Sequence, residues 1–199
     1  LNSMTRRGLK GLAYWHNGMK QMSANKPLIK PEDAKGLKFR VQASDVLVAQ
    51  IEQLGASPQK MSFKEVYGGL QTGVIDAQSN TWSNIYGKKF FEVQDGVTET
   101  NHGILDYLVV TSTKWWDGLP ADVRDQLGTI LKEVTAARNS ESTKVNLANR
   151  QNIIDAGGKV RTLTPAQRQA WVNAMKPVWK KFEKDIGADV MAAAQKANK

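Results

Sequence analysis

From residue 35 onward the hydrophobic and polar positions alternate between two periods. In "KGLKFRVQ", Leu37, Phe39 and Val41 alternate with Lys38, Arg40 and Gln42, the period-two pattern of a strand with one buried face. Ser44 then stands where a helix N-cap belongs, and Leu47, Ile51 and Leu54 form a helical stripe that stops at Gly55. A short strand is predicted over 59–61. Ser62 and Glu65 form a capping-box pair opening a second helix, with Phe63, Val66, Tyr67 and Leu70 on its apolar side. Gly73 ends that helix before a third strand predicted over 74–77. Strand–helix–strand–helix–strand over about forty residues is a pair of βαβ units, hence an α/β fold with a mostly parallel sheet covered by helices.

The pattern continues with "SNTWSNIYGKKFFEV", a short helix rich in aromatics and amides. "ILDYLVVTS" at 104–112 is almost continuously apolar and predicts a strand buried on both faces. From Pro120, Val123, Leu127, Ile130, Val134 and Ala137 recur at steps of four and three; the pattern loosens at "NSES" and resumes as far as Gly157 and Gly158. A continuous helix of that extent would reach roughly 55 Å, longer than one small lobe is wide. It predicts a helix spanning two lobes, kinked near Ser140. A last strand is predicted over 160–163, and Thr164, Pro165 and Gln167 cap a final helix bearing Trp171, Met175, Val178 and Phe182. The opening "LNSMTRRGLKGLAYW" reads as the middle of a domain, a helix end over 1–7 and a strand over 11–15, and predicts further chain upstream.

Composition narrows the chemistry. The 199 residues, 41% hydrophobic, suffice for one large domain or two small lobes. There is no cysteine, which excludes disulfides, zinc–thiolate sites and thiol nucleophiles. No apolar run approaches membrane-spanning length. The net charge of +9 is concentrated: residues 1–40 hold nine Lys/Arg against Glu32 and Asp33, leaving 19 basic against 17 acidic residues elsewhere. Such a region points to an anionic partner or to a solubilising surface. Lys20, Lys26, Lys30, Lys35, Lys38 and Arg40 do not share a helix face, "KPLIKPED" is a proline-broken loop, and no nucleic-acid-binding signature follows, so nucleic acid is not the expected partner. Catalysis is poorly supported as well. His16 and His102 belong to no metal-spacing motif, "GLKGLAYWHNG" has the wrong spacing for a phosphate loop, and Asp76 has no paired group nearby. No metal and no cofactor is expected.

The remaining class is a small-anion binder. In parallel α/β sheets, ligands sit beyond the carboxyl ends of the strands. Arg40 lies near the end of one strand, Phe63 opens the next helix, and "QSNTWSN" with Asn80 follows the third strand. A guanidinium fork, an aromatic wall and amide donors are the groups a carboxylate needs. Each has an ordinary alternative: Arg40 on a solvent face, Phe63 in the core, Asn80 as a helix cap.

Three runs in order, "PEDAKGLKFRV", "LGASPQKMSFKEVYGGLQTGVIDAQSNTWSNIYGKKFFEVQ" and "TNHGILDYLVV", closely resemble the solute-binding proteins of tripartite ATP-independent periplasmic (TRAP) transporters. The resemblance runs through most of residues 8–135 and more weakly to the end. It implies a two-lobed, periplasmic-binding-protein-like α/β receptor with a long lobe-bridging helix, the first lobe largely missing from this chain. It places the ligand-binding second lobe at 8–98, a hinge strand at 99–104 with a strand and helix of the first lobe up to 140, and a return to the second lobe over 141–199. By the same resemblance, Arg40 forms a bidentate salt bridge with the substrate carboxylate, Asn80 donates to that carboxylate and Phe63 packs on the ligand. Lys20 stands in "NGMK" where many relatives carry a second arginine; it keeps the charge and loses the fork. Ser79 replaces a frequent glutamate, and His102 falls in the hinge network, orienting neighbours. Trp82 either lines the pocket or packs beneath it. Asn17, Lys20 and the missing lobe are the candidate donors to a second carboxylate. The "NTWSNIY" and "TNHGILDYLVV" runs are most similar to the C4-dicarboxylate branch, implying succinate, malate or fumarate delivered in the periplasm to a membrane permease. A monocarboxylate binder is the alternative, with an anion-handling enzyme behind it.

Overall fold

In the computed structural model, which describes residues 1–197, the elements run β1 (Leu9–Ala24), β2 (Lys38–Val41), α1 (Asp45–Gln53), β3 (Ser57–Lys60), α2 (Val66–Gln71), β4 (Ala77–Thr81), α3 (Trp82–Gly87), β5 (Gly96–Glu99), β6 (Ile104–Ser112), α4 (Thr113–Asp117), α5 (Ala121–Asp155), β7 (Val160–Thr162), α6 (Pro165–Ile186) and α7 (Ala188–Ala197). The sheet order is β3-β2-β4-β1-β5-β7. β2 pairs parallel with β3 and β4, and β5 parallel with β7, while β1 is antiparallel to both β4 and β5. Five strands therefore point one way and β1 alone is reversed, the mostly parallel α/β sheet expected from the βαβ pattern.

β1 belongs to two sheets. Residues 20–24 pair with β4 and β5, whereas Leu9–Met19 pair with β6. The strand reaches 16 residues instead of the five predicted at 11–15 because register shifts between Gly11 and Ala13 and between His16 and Gly18 reset its alternation and hide its period. Near the end of the β6 pairing, opposite Leu105, lies Gly18, at φ 156°, where an added Cβ would come within 2.9 Å of the Asn146 amide nitrogen.

The two faces of the sheet bury two cores. Phe39, Val41, Ala77, Met22 and Ala24 pack with α1 and with Trp171 of α6, whose indole N–H donates to the Ile29 carbonyl at 3.1 Å. Val97 on the other face packs with Val66, Leu70, Ile75, Trp82, Ile85, Phe90 and Ile153. Thr164 and Gln167 form the predicted capping box of α6. α6 is followed by α7, so it is not the last helix, and Pro177 lies inside it.

Two boundaries and one burial differ from expectation. β3 begins two residues before its predicted start. β4 begins where the third strand was predicted to end, because the preceding turn is tied down by Asp76. Its backbone N–H donates to the Lys38 carbonyl and its carboxylate accepts from the Lys38 amide, both at 2.8 Å. Asn80 is thus inside a strand and not after it. β6 is a strand, as predicted, yet it is not buried on both faces. It pairs with β1 alone among the described residues, and Ile104, Tyr107 and Val110 are exposed.

α5 is helical over all 35 residues, about 52 Å. The loosened pattern near Ser140 marks a polar stripe and no break in the helix. Thr135 accepts from the Trp15 indole, Asn139 accepts from the His16 amide and donates to the Tyr14 carbonyl, and Asn146 donates to the Asn17 carbonyl. Further along, Arg150 forms a two-pronged pair with Glu99 of β5 at 3.0 and 3.2 Å. α5 therefore follows β1 past its change of sheet.

Candidate anion-binding site

Strands β2, β4 and β1 are adjacent, and their polar residues gather at the end where β2 and β4 finish. Arg40, the third residue of β2, is 4% exposed. Its Nε donates to the Met61 carbonyl at 2.9 Å, which aims the guanidinium across the strand ends. The Phe63 ring stands 6.0 Å from the guanidinium carbon. That ring is held by the Ser62–Glu65 capping box and by an edge-on contact with Phe90 at 5.8 Å. Phe63 is half-buried, lies near Arg40 and packs against the core.

Lys20 of β1 is 5% exposed. Its backbone pairs with the turn after β5: Lys20 N–H donates to the Gly103 carbonyl and the His102 N–H donates to the Lys20 carbonyl. Burial, and secondarily the Arg40 charge, pull the Lys20 ammonium down to about 8. Burial likewise lowers Arg40 from its ordinary range. Among the described residues neither cation has a carboxylate within salt-bridge distance. An uncompensated buried charge costs several kcal/mol. Lys20 and Arg40 thus place two buried positive charges, without a carboxylate partner among the described residues, at the end of the sheet where β2 and β4 finish.

His102 completes this side. Burial and the Lys20 charge drive its imidazole down to about 3, so the ring is neutral, and Nδ1 sits 2.7 Å from the Thr100 hydroxyl. The turn carrying it is pinned by Gln21, whose carboxamide donates to Asn101 Oδ1 at 2.7 Å and accepts from the Asn101 N–H at 3.0 Å. Asn101 has a φ of 46°, the left-handed region that asparagine tolerates.

Asn80 is 1% exposed and opposite Gln21 in the β1–β4 register. The β2–β4 register, with Phe39 opposite Ala77, puts Arg40 and Asn80 on the same face of neighbouring strands. The remaining two predicted residues make contacts within the protein. Trp82, 4% exposed, is in the core, its ring covered by Arg150 at 5.7 Å. Asn17 donates to the Tyr107 hydroxyl and accepts from the Ser83 hydroxyl, each at 2.8 Å. Sequence reasoning missed Gln21, Asn84 and Tyr107, which form the polar frame around these groups. An amide recurring four residues after Asn80 was the available signal for Asn84. Two surface hollows elsewhere, one at Ala49, Gln53 and Val178 and one at Trp115 and Leu119, contain none of these residues. Uncompensated charge marks this site.

A strand shared by two sheets, a long helix following it and unpaired cations at the strand ends make this an α/β solute-binding fold. A family model described as "Bacterial extracellular solute-binding protein, family 7" matches residues 1–185, and the chain belongs to that family. It is 77% identical over 197 residues to the C4-dicarboxylate-binding periplasmic protein DctP of Vibrio cholerae, covering 99% of this chain and 59% of that protein. A solved TRAP periplasmic solute-binding protein of Shewanella oneidensis with bound succinate superposes with a TM-score of 0.98 at 55% identity, over 100% of this chain and 66% of that one. Another, from Pseudomonas aeruginosa with bound L-malate, gives a TM-score of 0.89 at 45% identity, over 91% and 63%. The chain thus spans about three-fifths of the length of the curated relative. Among the described residues no helix is long and apolar enough to cross a membrane.

Proposed function

We propose that this chain forms the ligand-gripping part of a periplasmic TRAP receptor that captures a C4-dicarboxylate and passes it to a membrane permease without chemical change. One observation supports the reading above the others: Arg40 and Lys20 are both nearly buried at the same end of the sheet, and neither has a carboxylate within salt-bridge distance among the described residues. Arg40 offers two parallel donors to one carboxylate, Asn80 adds an amide donor, and Phe63 lines the apolar side. Lys20 supplies the second positive charge that a diacid needs and a monoacid does not. His102 stays neutral and orients the turn beside Lys20. The relatives of highest identity reported above, bound to succinate and L-malate or described as C4-dicarboxylate-binding, favour the same substrate class. The lobes meet where β1 passes from one sheet to the other, with α5 bridging them.

Isothermal titration of the purified protein with succinate, L-malate and fumarate tests this. Removing one partner of a buried charge pair typically costs about 2–5 kcal/mol, or roughly 30- to several-thousand-fold in affinity. Arg40→Ala is expected to weaken every dicarboxylate by that range. Unchanged affinity in the variant overturns the assignment, and a preference for monocarboxylates over diacids overturns the substrate class.

A further inference from the structure

We propose that Asn84 is a positioning residue that, together with the Thr81 N–H, holds the Asn80 carboxamide with its nitrogen toward the ligand. This rests on the reading of Asn80 as a carboxylate donor. A carboxamide is two-sided: its NH2 attracts a carboxylate and its oxygen repels one. A buried asparagine on a strand is useful to an anion only if something turns the nitrogen outward. Asn80 Oδ1 accepts from the backbone N–H of Thr81 at 3.3 Å and from Asn84 Nδ2 at 2.7 Å. The Thr81 N–H can only donate, so the atom facing it is the oxygen, and Asn84 must present its nitrogen to the same atom. With both donors on the oxygen, Asn80 Nδ2 points away from the β4–α3 junction, and it has no acceptor among the described residues.

Asn84 is itself oriented from behind. Its Nδ2 also approaches the Tyr107 hydroxyl at 3.4 Å, and that hydroxyl accepts from Asn17 Nδ2 at 2.8 Å. Asn17 Oδ1 in turn accepts from the Ser83 hydroxyl at 2.8 Å. Ser83 sits on the same short helix as Asn84, and its backbone N–H donates to Asn146 Oδ1 of α5 at 3.1 Å. Asn80 is thus the last member of a chain of directed hydrogen bonds that starts on the long helix and includes Tyr107 of the second sheet. Asn17 is part of this chain.

The test exploits the sign of the carboxamide dipole. Asn84→Asp keeps the size of the side chain and replaces the donor by an acceptor, so residue 84 repels the Asn80 oxygen and draws its nitrogen away from the ligand, against the Thr81 N–H that still favours the native orientation. Asn84→Ala removes the shorter of the two donors to the Asn80 oxygen and leaves the Thr81 N–H, so it weakens the preference without opposing it. Titration with succinate is expected to show a roughly 100-fold weakening for Asn84→Asp and about 3- to 10-fold for Asn84→Ala, about 2.7 and 0.7–1.4 kcal/mol by the fold-change conversion. The deciding measurement places each substitution on an Asn80→Ala background. If residue 84 acts through Asn80, both effects shrink there to about two-fold or less. If Asn84→Asp weakens binding as much without Asn80 as with it, its charge acts directly on the anion and the inference fails. Should Asn84→Asp not fold by circular dichroism, the Asn84→Ala pair decides by the same criterion. Arg40→Ala in the same series separates the two ideas: loss of binding there with no effect at residue 84 leaves the receptor reading intact and sinks this one.

Discussion

At the scale of the residue, the protein keeps two positive charges where water cannot fully solvate them. Lys20 shows the consequence most directly. Its folded-state value of about 8 lies below the 10.5 of an unperturbed lysine. The buried ammonium therefore costs stability at neutral pH, and that cost fades as the pH rises from about 8 toward 10.5. A bound dianion reverses the balance by favouring the protonated amine. Succinate binding is thus expected to take up protons near pH 8 to 9 and to weaken as the pH climbs through that window. Titration calorimetry in buffers of different ionisation enthalpy reads the uptake. Lys20→Met should abolish it and lower affinity. A flat profile in the native protein would show that Lys20 faces no ligand charge, leaving Arg40 and His102 as the titratable groups beside it.

At the scale of the element, the polar stripe of α5 does work usually done by apolar packing. Asn146 is 7% exposed, takes the Ser83 N–H and gives to the Asn17 and Ser142 carbonyls. Leaving a buried backbone group unsatisfied costs about 1–3 kcal/mol. Asn146→Ala strands two such groups where β1 changes sheets and is expected to lower stability by about 2–4 kcal/mol in urea unfolding. Asn139→Ala, at a more open position of the same stripe, should cost less than half as much. Gly18→Ala probes the same clasp from the other side, since the new Cβ meets the Asn146 amide at 2.9 Å. It should destabilise the protein, and equal stability would show that the clasp yields.

At the scale of the whole molecule, the site unites three neighbouring strands and the turn after a fourth, so a ligand there reports on the entire fold. A ligand at ~100 times its dissociation constant adds about 2.7 kcal/mol of stability. A thermal-shift screen should therefore show succinate, malate and fumarate raising the unfolding midpoint, with acetate and lactate far behind. α5 reaches from the Thr135–Trp15 contact to the Arg150–Glu99 pair and so ties the segment of β1 that pairs with β6 to β5.

What the sequence determined by itself was everything local and periodic. The β2–α1 and α2 signals, both capping boxes, the extent of the long helix and the alternation that turns Arg40 off the Phe39 face can all be read along the chain, because each depends on residues within a few positions of one another. The family motifs could be read there too. The tertiary structure decided what depends on non-local partners. β1 could not be measured from its pattern, since two bulges reset its alternation. β4 was displaced because its buried residues are amides and hydroxyls, satisfied by neighbours such as Ser23 and Asn84 that no pattern announces. β6 reads as doubly buried because hydrophobicity records a strand's preference for cover, while cover itself comes from whatever packs on it. Asn17 and Trp82 are ligand candidates by type, and only the tertiary structure gives their neighbours: Tyr107 and Ser83 for Asn17, the second core for Trp82. Whether a buried cation has a counter-ion is likewise a fact about neighbours in space, and that fact, at Arg40 and Lys20, is what separates this site from an ordinary basic surface.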